Sequence, residues 1–75
     1  MKSMEPVTLE KIRQRLIESI RLSHMSQKEI AEKLHISQQT VSCYMHGKKM
    51  PALDTLANLC AVLDVDADYI LCLKD

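Results

Sequence analysis

Apolar residues recur at helical spacing through most of the chain. The first stripe comprises Leu9, Ile12, Leu16, Ile17 and Ile20. Intervals of three or four residues are typical of an amphipathic helix that buries one face. Because Thr8 is of a type that caps helix N-termini, the pattern predicts a first helix from Thr8 to about Leu22.

Two short helices are predicted next. Ser26 and Glu29 have the spacing of a capping box, which predicts a second helix that begins on Gln27. Its inward positions are Ile30, Ala31 and Leu34, and it ends at His35 and Ile36.

Ser37 can cap a third helix, which we expect to run from Gln38 to about His46. Gly47 follows this helix and is the only glycine of the chain. A glycine is commonly needed there, because the residue after a helix often takes a left-handed conformation.

The C-terminal third predicts two more helices. A fourth carries Leu53, Leu56, Leu59, Cys60 and Leu63 on its apolar face. Asp66 is expected to cap a short fifth helix with Ile70, Leu71 and Leu73 apolar. The predicted core comprises Leu34, Val41, Tyr44, Leu56, Leu59 and Leu63.

Composition supports an all-helical fold. The chain has 75 residues, which suffices for one domain, and it contains no Phe or Trp, one Gly and two Pro. Few Gly and Pro leave little turn chemistry for a β architecture. We therefore expect a compact five-helix bundle over residues 8–73, with a flexible N-terminal segment at 1–7 and a short tail at 74–75.

The net charge is zero, but the charges are unevenly distributed. From Lys11 to Lys49 there are eight basic and three acidic residues, whereas from Pro51 to Asp75 there are five Asp and one Lys. The molecule should therefore have a basic pole, suited to nucleic acid, and an acidic pole.

Nothing in the sequence indicates a membrane span or a secretory signal, which favours the cytoplasm. Cys43, Cys60 and Cys72 are odd in number and too widely spaced for a CxxC pair, and we expect them to be reduced thiols. We expect no enzyme, metal or cofactor, because the sequence has no phosphate-binding glycine loop, no nucleophile motif and no four-ligand spacing.

Two short helices joined by about three residues suggest a helix-turn-helix, with the third predicted helix as its recognition helix. If Val41 and Tyr44 point inward, a rotation of about 100° per residue turns Gln39, Ser42, Cys43 and His46 outward, with Gln38 at the tip. Gln can bind adenine through two hydrogen bonds in the major groove. The predicted base-reading residues are Gln38, Gln39, Ser42 and Cys43.

The stretch QKEIAEKLHISQQTVSCYMH, residues 27–46, resembles the helix-turn-helix of the lambda Cro and repressor (XRE) family. The resemblance extends from Arg21 to Leu71 and includes Gly47-Lys48-Lys49-x-Pro51 and the spacing of the later leucines. His35 stands where the family commonly has Gly, and Met45 where it often has Glu. The resemblance implies a DNA-binding transcriptional regulator in which Gln27 contacts a phosphate. Because the sequence ends at the fifth predicted helix, we expect a stand-alone regulator and not a two-domain repressor.

Other predicted DNA contacts lie on both sides of the recognition helix. Lys48 and Lys49 follow it directly and are expected to bind phosphates. Ser37, Thr40 and His46 complete the predicted set of phosphate contacts.

One short helix reads few base pairs, so we expect a homodimer on a palindromic operator in double-stranded DNA. The expected dimer contacts are Ile70, Cys72 and Leu73. An alternative function for the same fold is an antitoxin-like or protein-interaction module, because the leucine-rich helices and the acidic C-terminal part could bind a protein partner.

Overall fold

The computed structural model describes residues 6–74, which form five helices and no strand. The helices are α1 (Leu9–Leu22), α2 (Gln27–Leu34), α3 (Gln38–Met45), α4 (Leu53–Leu63) and α5 (Ala67–Ile70). The predicted all-α, five-helix fold is therefore confirmed. Residues 1–5 and residue 75 lie outside the described part, so the predicted segment 1–7 and tail 74–75 are represented only by Pro6, Val7 and Lys74.

Hydroxyl side chains fix where the first three helices begin. Thr8, Ser26 and Ser37 are in extended conformation, and each accepts a hydrogen bond from the backbone N–H three residues further on. These bonds satisfy N–H groups that have no partner within the helix. Asp66 does not act in this way, because it makes no capping hydrogen bond and its carboxylate instead pairs with Lys74.

Each of the five helices is followed by a left-handed residue, although the chain has a single glycine; after α1 it is His24, with φ 61°. His35, Gly47, Asp64 and Cys72 all have φ between 57° and 71°. After each of them, the next backbone N–H bonds back to a carbonyl five residues earlier, as from Ile36 to Ala31. This Schellman arrangement closes the helix ends, but it places three residues with a Cβ in a region that glycine occupies most easily.

The core is aliphatic and draws on all five helices. Its fully buried members are Leu16, Ile30, Val41, Leu59 and Ile70. Of the predicted core, Val41, Tyr44, Leu56, Leu59 and Leu63 are buried, while Leu34 packs at the edge and remains partly exposed. The common core of the helix-turn-helix and the C-terminal helices is therefore present as predicted.

The predicted stripe of α1 is wrong at two positions. Leu9 is largely exposed, because contact of α1 with the core begins one turn later at Ile12. Ile17 lies in an outward groove between Gln14 and Glu18, and it is not among the residues packed on the core. Ser19 is buried instead of Ile17. The buried face of α1 is therefore rotated about the helix axis relative to the face that the apolar residues predicted.

Arg15 fastens the C-terminal residues to α1. Its Nη1 donates hydrogen bonds of 2.7 Å to the backbone oxygens of Tyr69 and Lys74, and its guanidinium lies 4.6 Å from the centre of the Tyr69 ring. The Tyr69 hydroxyl in turn donates to Glu18. The Lys74 ammonium lowers the pKa of the Asp66 carboxyl by a hydrogen bond and by its charge. The short helix α5 is thus held by contacts from both of its ends.

Within residues 6–74, none of the helices is both long and apolar enough to cross a membrane.

Leu59→Ala tests the core assignment. Leu59 is only 1% exposed, and we expect its truncation to lower the free energy of unfolding by about 2–5 kcal/mol through lost burial and a residual cavity. Leu53→Ala is the control, since Leu53 lies on the same helix and is 85% exposed; its effect should stay within about 0.5 kcal/mol. Equal effects of both variants in urea unfolding would contradict the assignment.

His35→Gly tests the strain in the turn of the helix-turn-helix. A left-handed conformation costs a residue with a Cβ about 1–2 kcal/mol, and the exposed His35 has φ 58°. We expect the glycine variant to unfold at higher temperature. His35→Ala removes the same side chain without relieving the backbone, and it should not stabilise the protein. A glycine variant that is no more stable than the alanine variant would contradict the prediction.

Candidate nucleic-acid interface

Helix α3 is anchored by its inner face. It packs against α2 and α1, and its buried residues are Val41 and Tyr44. Burial, followed by the nearby carboxylate of Asp54, raises the pKa of the Tyr44 hydroxyl. The tyrosine therefore stays uncharged and serves as a packing group, which leaves the opposite face of α3 for contacts with other molecules.

The outer face of α3 carries the predicted base-reading residues. Gln38 and Gln39 are exposed at the start of the helix, and Ser42 and Cys43, one turn further on, are half-buried. Gln39, Ser42 and Cys43 lie roughly opposite the buried pair at about 100° per residue. Amides, a hydroxyl and a thiol are groups that can contact the edges of bases without bearing charge.

The turn before α3 is fixed by backbone and hydroxyl bonds. His35 is left-handed, and Ser37 accepts the Thr40 N–H at 3.1 Å. The two hydroxyls, of Ser37 and Thr40, also share a hydrogen bond of 2.7 Å. They therefore hold the first turn of α3 in the free protein. Gln27, at the first position of α2, is half-buried.

The end of α3 leads directly into a basic loop. His46 Nδ1 donates a 2.8 Å hydrogen bond to the carbonyl oxygen of Ser42, which leaves Nε2 on the far side of the ring. Gly47 has φ 71°, and the Lys48 N–H bonds at 2.9 Å to the Cys43 oxygen. Because this hydrogen bond fixes the loop backbone, the exposed side chains of Lys48 and Lys49 start from a defined position next to the recognition helix.

The sequence-based reasoning did not identify Arg13, which α1 brings to the same place. A Cβ added to Gly47 would lie 3.1 Å from Arg13 Cδ and 3.4 Å from Arg13 Nε, so the arginine lies directly on the glycine. The sequence spacing between Arg13 and the apolar residues of α1 could have indicated this position. Arg13 precedes the buried Leu16 and Ile20 by three and seven residues, which places a basic side chain on the edge of the inward face of α1.

The acidic residues are only partly separated from this region. Asp64, Asp66 and Asp68 lie in the α4–α5 turn and in α5. Asp54, in contrast, sits in the first turn of α4, where its charge acts on Tyr44 of the recognition helix. The expected acidic pole therefore has one member near α3.

The cysteines are unpaired, and they occupy three different environments. Cys60 is buried, and burial followed by the charge of Asp66 raises the pKa of its thiol. Cys43 and Cys72 are partly exposed. Across the described part of the chain, no group of three or more His, Cys, Asp or Glu side chains could hold a metal ion.

The predicted dimer residues differ in their availability. Ile70 is fully buried inside the protomer, so it cannot face a second copy without unfolding. Cys72 is half-buried and takes the left-handed conformation after α5. Leu73 is 66% exposed. Of the three predicted dimer residues, only Cys72 and Leu73 are therefore at the surface.

Comparison with known protein families identifies the domain. The model of the Helix-turn-helix family matches residues 17–70, which is more than half of the chain. Neither a curated protein nor a solved structure matches the sequence. The match spans the buried inner face of α3, its polar outer face and the loop that follows. The chain therefore belongs to the helix-turn-helix family of the Cro and repressor type and carries a DNA-binding domain of that kind.

Proposed function

We propose that this protein is a sequence-specific transcriptional regulator that inserts α3 into the major groove of double-stranded DNA. The observation that carries the proposal is the division of α3 into two faces. Its inner side is buried through Val41 and Tyr44, while polar side chains cover its outer side and a basic loop follows it. A helix of this kind matches the width of the major groove, and its ends meet the sugar-phosphate backbone.

Gln38 and Gln39 are the proposed main readers of sequence. Each amide can donate to N7 and accept from N6 of one adenine, and no ionic contact is needed for that discrimination. Both side chains are exposed at the N-terminal tip of α3, the part of a recognition helix that goes deepest into the groove. Ser42 and Cys43 lie one turn further on, where a small hydroxyl or thiol can approach a base edge or a thymine methyl group.

The proposed phosphate contacts frame this reading surface. Gln27 begins α2, where free backbone N–H groups also favour an anion. Ser37 and Thr40 lie at the start of α3, and His46 lies at its end. The exposed Lys48 and Lys49 supply the charges that displace condensed counterions. These contacts fix the orientation of α3 and carry no sequence information themselves.

The protein is proposed to bind a palindromic operator as a homodimer. A single eight-residue helix contacts few base pairs, and two half-sites one helical turn apart double the information that is read. Leu73 is an exposed leucine on a segment that Arg15 holds in place through the Lys74 carbonyl. A fixed apolar side chain at this end of the molecule is suited to a two-fold contact, with Cys72 beside it.

Gln38→Ala and Gln39→Ala test the reading role. On a site selected from randomised duplexes, each variant should lose about 1–3 kcal/mol of binding free energy, because the amide contacts a base edge. On random-sequence DNA each should bind like the wild type. Gln14→Ala removes an equally exposed amide from the outer side of α1, and it is the control. If the losses in anisotropy titrations were the same on both DNAs, neither glutamine would read sequence.

Leu73→Glu tests the dimer. We expect the variant to sediment as a folded monomer and to bind the palindromic site more weakly, because a carboxylate would be buried at the two-fold contact. Leu22→Glu is the matched control, since Leu22 is 67% exposed but lies at the end of α1. A wild-type protein that occupies its specific site as a monomer, or a dimer that Leu22→Glu alone disrupts, would refute the C-terminal interface.

A further inference from the structure

Arg13 occupies a position that packing alone does not explain. Its aliphatic stem covers Gly47, because a Cβ added to the glycine would lie 3.1 Å from Arg13 Cδ, which is a tight contact. The Nε atom is buried, and it has no hydrogen-bond partner. A buried donor without a partner destabilises the folded protein, because it has lost its hydrogen bonds to water. A methionine or leucine could cover Gly47 without burying an unpaired donor. Packing on Gly47 therefore does not explain why this side chain carries a guanidinium group.

The charged end of Arg13 reaches the surface. The side chain is 27% exposed, and its Nη1 forms an ion pair with Glu10, which is 63% exposed. Because Nε is enclosed against Gly47, the guanidinium is held at the point where α3 passes into the Lys48–Lys49 loop. Arg13 therefore contacts the residue that directly precedes the two lysines, although it comes from a different helix.

We propose that Arg13 binds a phosphate of the DNA backbone next to the phosphates bound by Lys48 and Lys49. This inference rests on the proposed function, in which α3 lies in the major groove and its C-terminal end meets the backbone. A guanidinium can bind two phosphate oxygens at once, and the contact with Gly47 keeps it in position before DNA arrives.

Glu10 has a defined part in this arrangement. In the free protein its carboxylate takes the place that a phosphate oxygen would occupy on Nη1. When DNA binds, the phosphate replaces the carboxylate, and the exposed Glu10 side chain turns into solvent. Both residues precede the family match, which begins at residue 17. The phosphate site is therefore built from the first two turns of α1, outside the matched region.

The decisive variant is Arg13→Met, which keeps an unbranched stem on Gly47 and removes the charge. Binding to a random-sequence duplex is measured between about 50 and 200 mM salt, and each lost phosphate contact lowers the slope of log affinity against log salt by about 0.9. We expect that reduction for Arg13→Met and for Lys48→Gln, and an unchanged slope for Arg13→Lys. Lys74→Gln is the control, because Lys74 is also an ion-paired cation but lies after α5.

Glu10→Gln should act in the opposite direction. The variant frees Arg13 from its ion pair and removes a negative charge near the backbone, so affinity for the same duplex should rise about two- to fivefold, the equivalent of one exposed ion pair. The increase should be smaller in an Arg13→Met background, because no ion pair then has to open and only the removal of the negative charge remains.

Thermal unfolding of each variant separates a binding effect from a folding defect, and Arg13→Gln serves in place of Arg13→Met if the latter is not folded. A folded Arg13→Met or Arg13→Gln protein with the wild-type salt slope would overturn the proposal while leaving the DNA-binding function intact, provided that Lys48→Gln still lowers the slope. A wild-type protein without salt-dependent duplex binding would instead remove the proposed function, and this inference with it.

Discussion

Val41 and Tyr44 are the two buried residues of α3, and the position of every proposed base contact depends on them. A helix of eight residues is not stable by itself in water, because too few hydrogen bonds offset the cost of nucleating it. Packing of this inner face against α1 and α2 supplies the missing stability. The outer residues can then be polar and poorly suited to a core, since they are not needed for this packing. The separation of a packing face from a binding face is thus the condition for recognition.

The second constraint is the scarcity of glycine. A helix-turn-helix needs a left-handed residue between its helices, and here His35 takes that conformation. The same problem recurs at the ends of α4 and α5, where Asp64 and Cys72 are left-handed. Asp and His are several-fold enriched in this region among residues other than glycine. The backbone bonds that close each helix hold these residues in place. The stability of the core therefore offsets the backbone strain of these left-handed residues.

Most of the fold could be predicted from the sequence because its signals are local. Apolar spacing and hydroxyl caps located all five helices, and the caps at Thr8, Ser26 and Ser37 lie where the pattern placed them. Failures came where the outcome depends on distant parts of the chain. The exposure of Leu9 and the burial of Ile70 depend on how the helices pack on the core, and the pairing of Asp66 with Lys74 depends on the path of the backbone after α5. For the candidate site, the outer face of α3 was predictable from rotation along one helix. The position of Arg13 on Gly47 was not, because 34 residues separate the two positions along the chain.

The hydrogen bonds from Arg15 to the C-terminal backbone can form only late in the synthesis of the chain. Arg15 lies 54 residues before Tyr69 and 59 before Lys74, and it holds the backbone oxygens of both. A nascent chain can form α2 and α3 from local contacts, but α1 has no partner for this side chain until the last helix has left the ribosome. Contacts of such long sequence separation form late and make the final step cooperative. Arg15 therefore joins the first helix to the end of the domain by contacts that can form only after α5 has been synthesised.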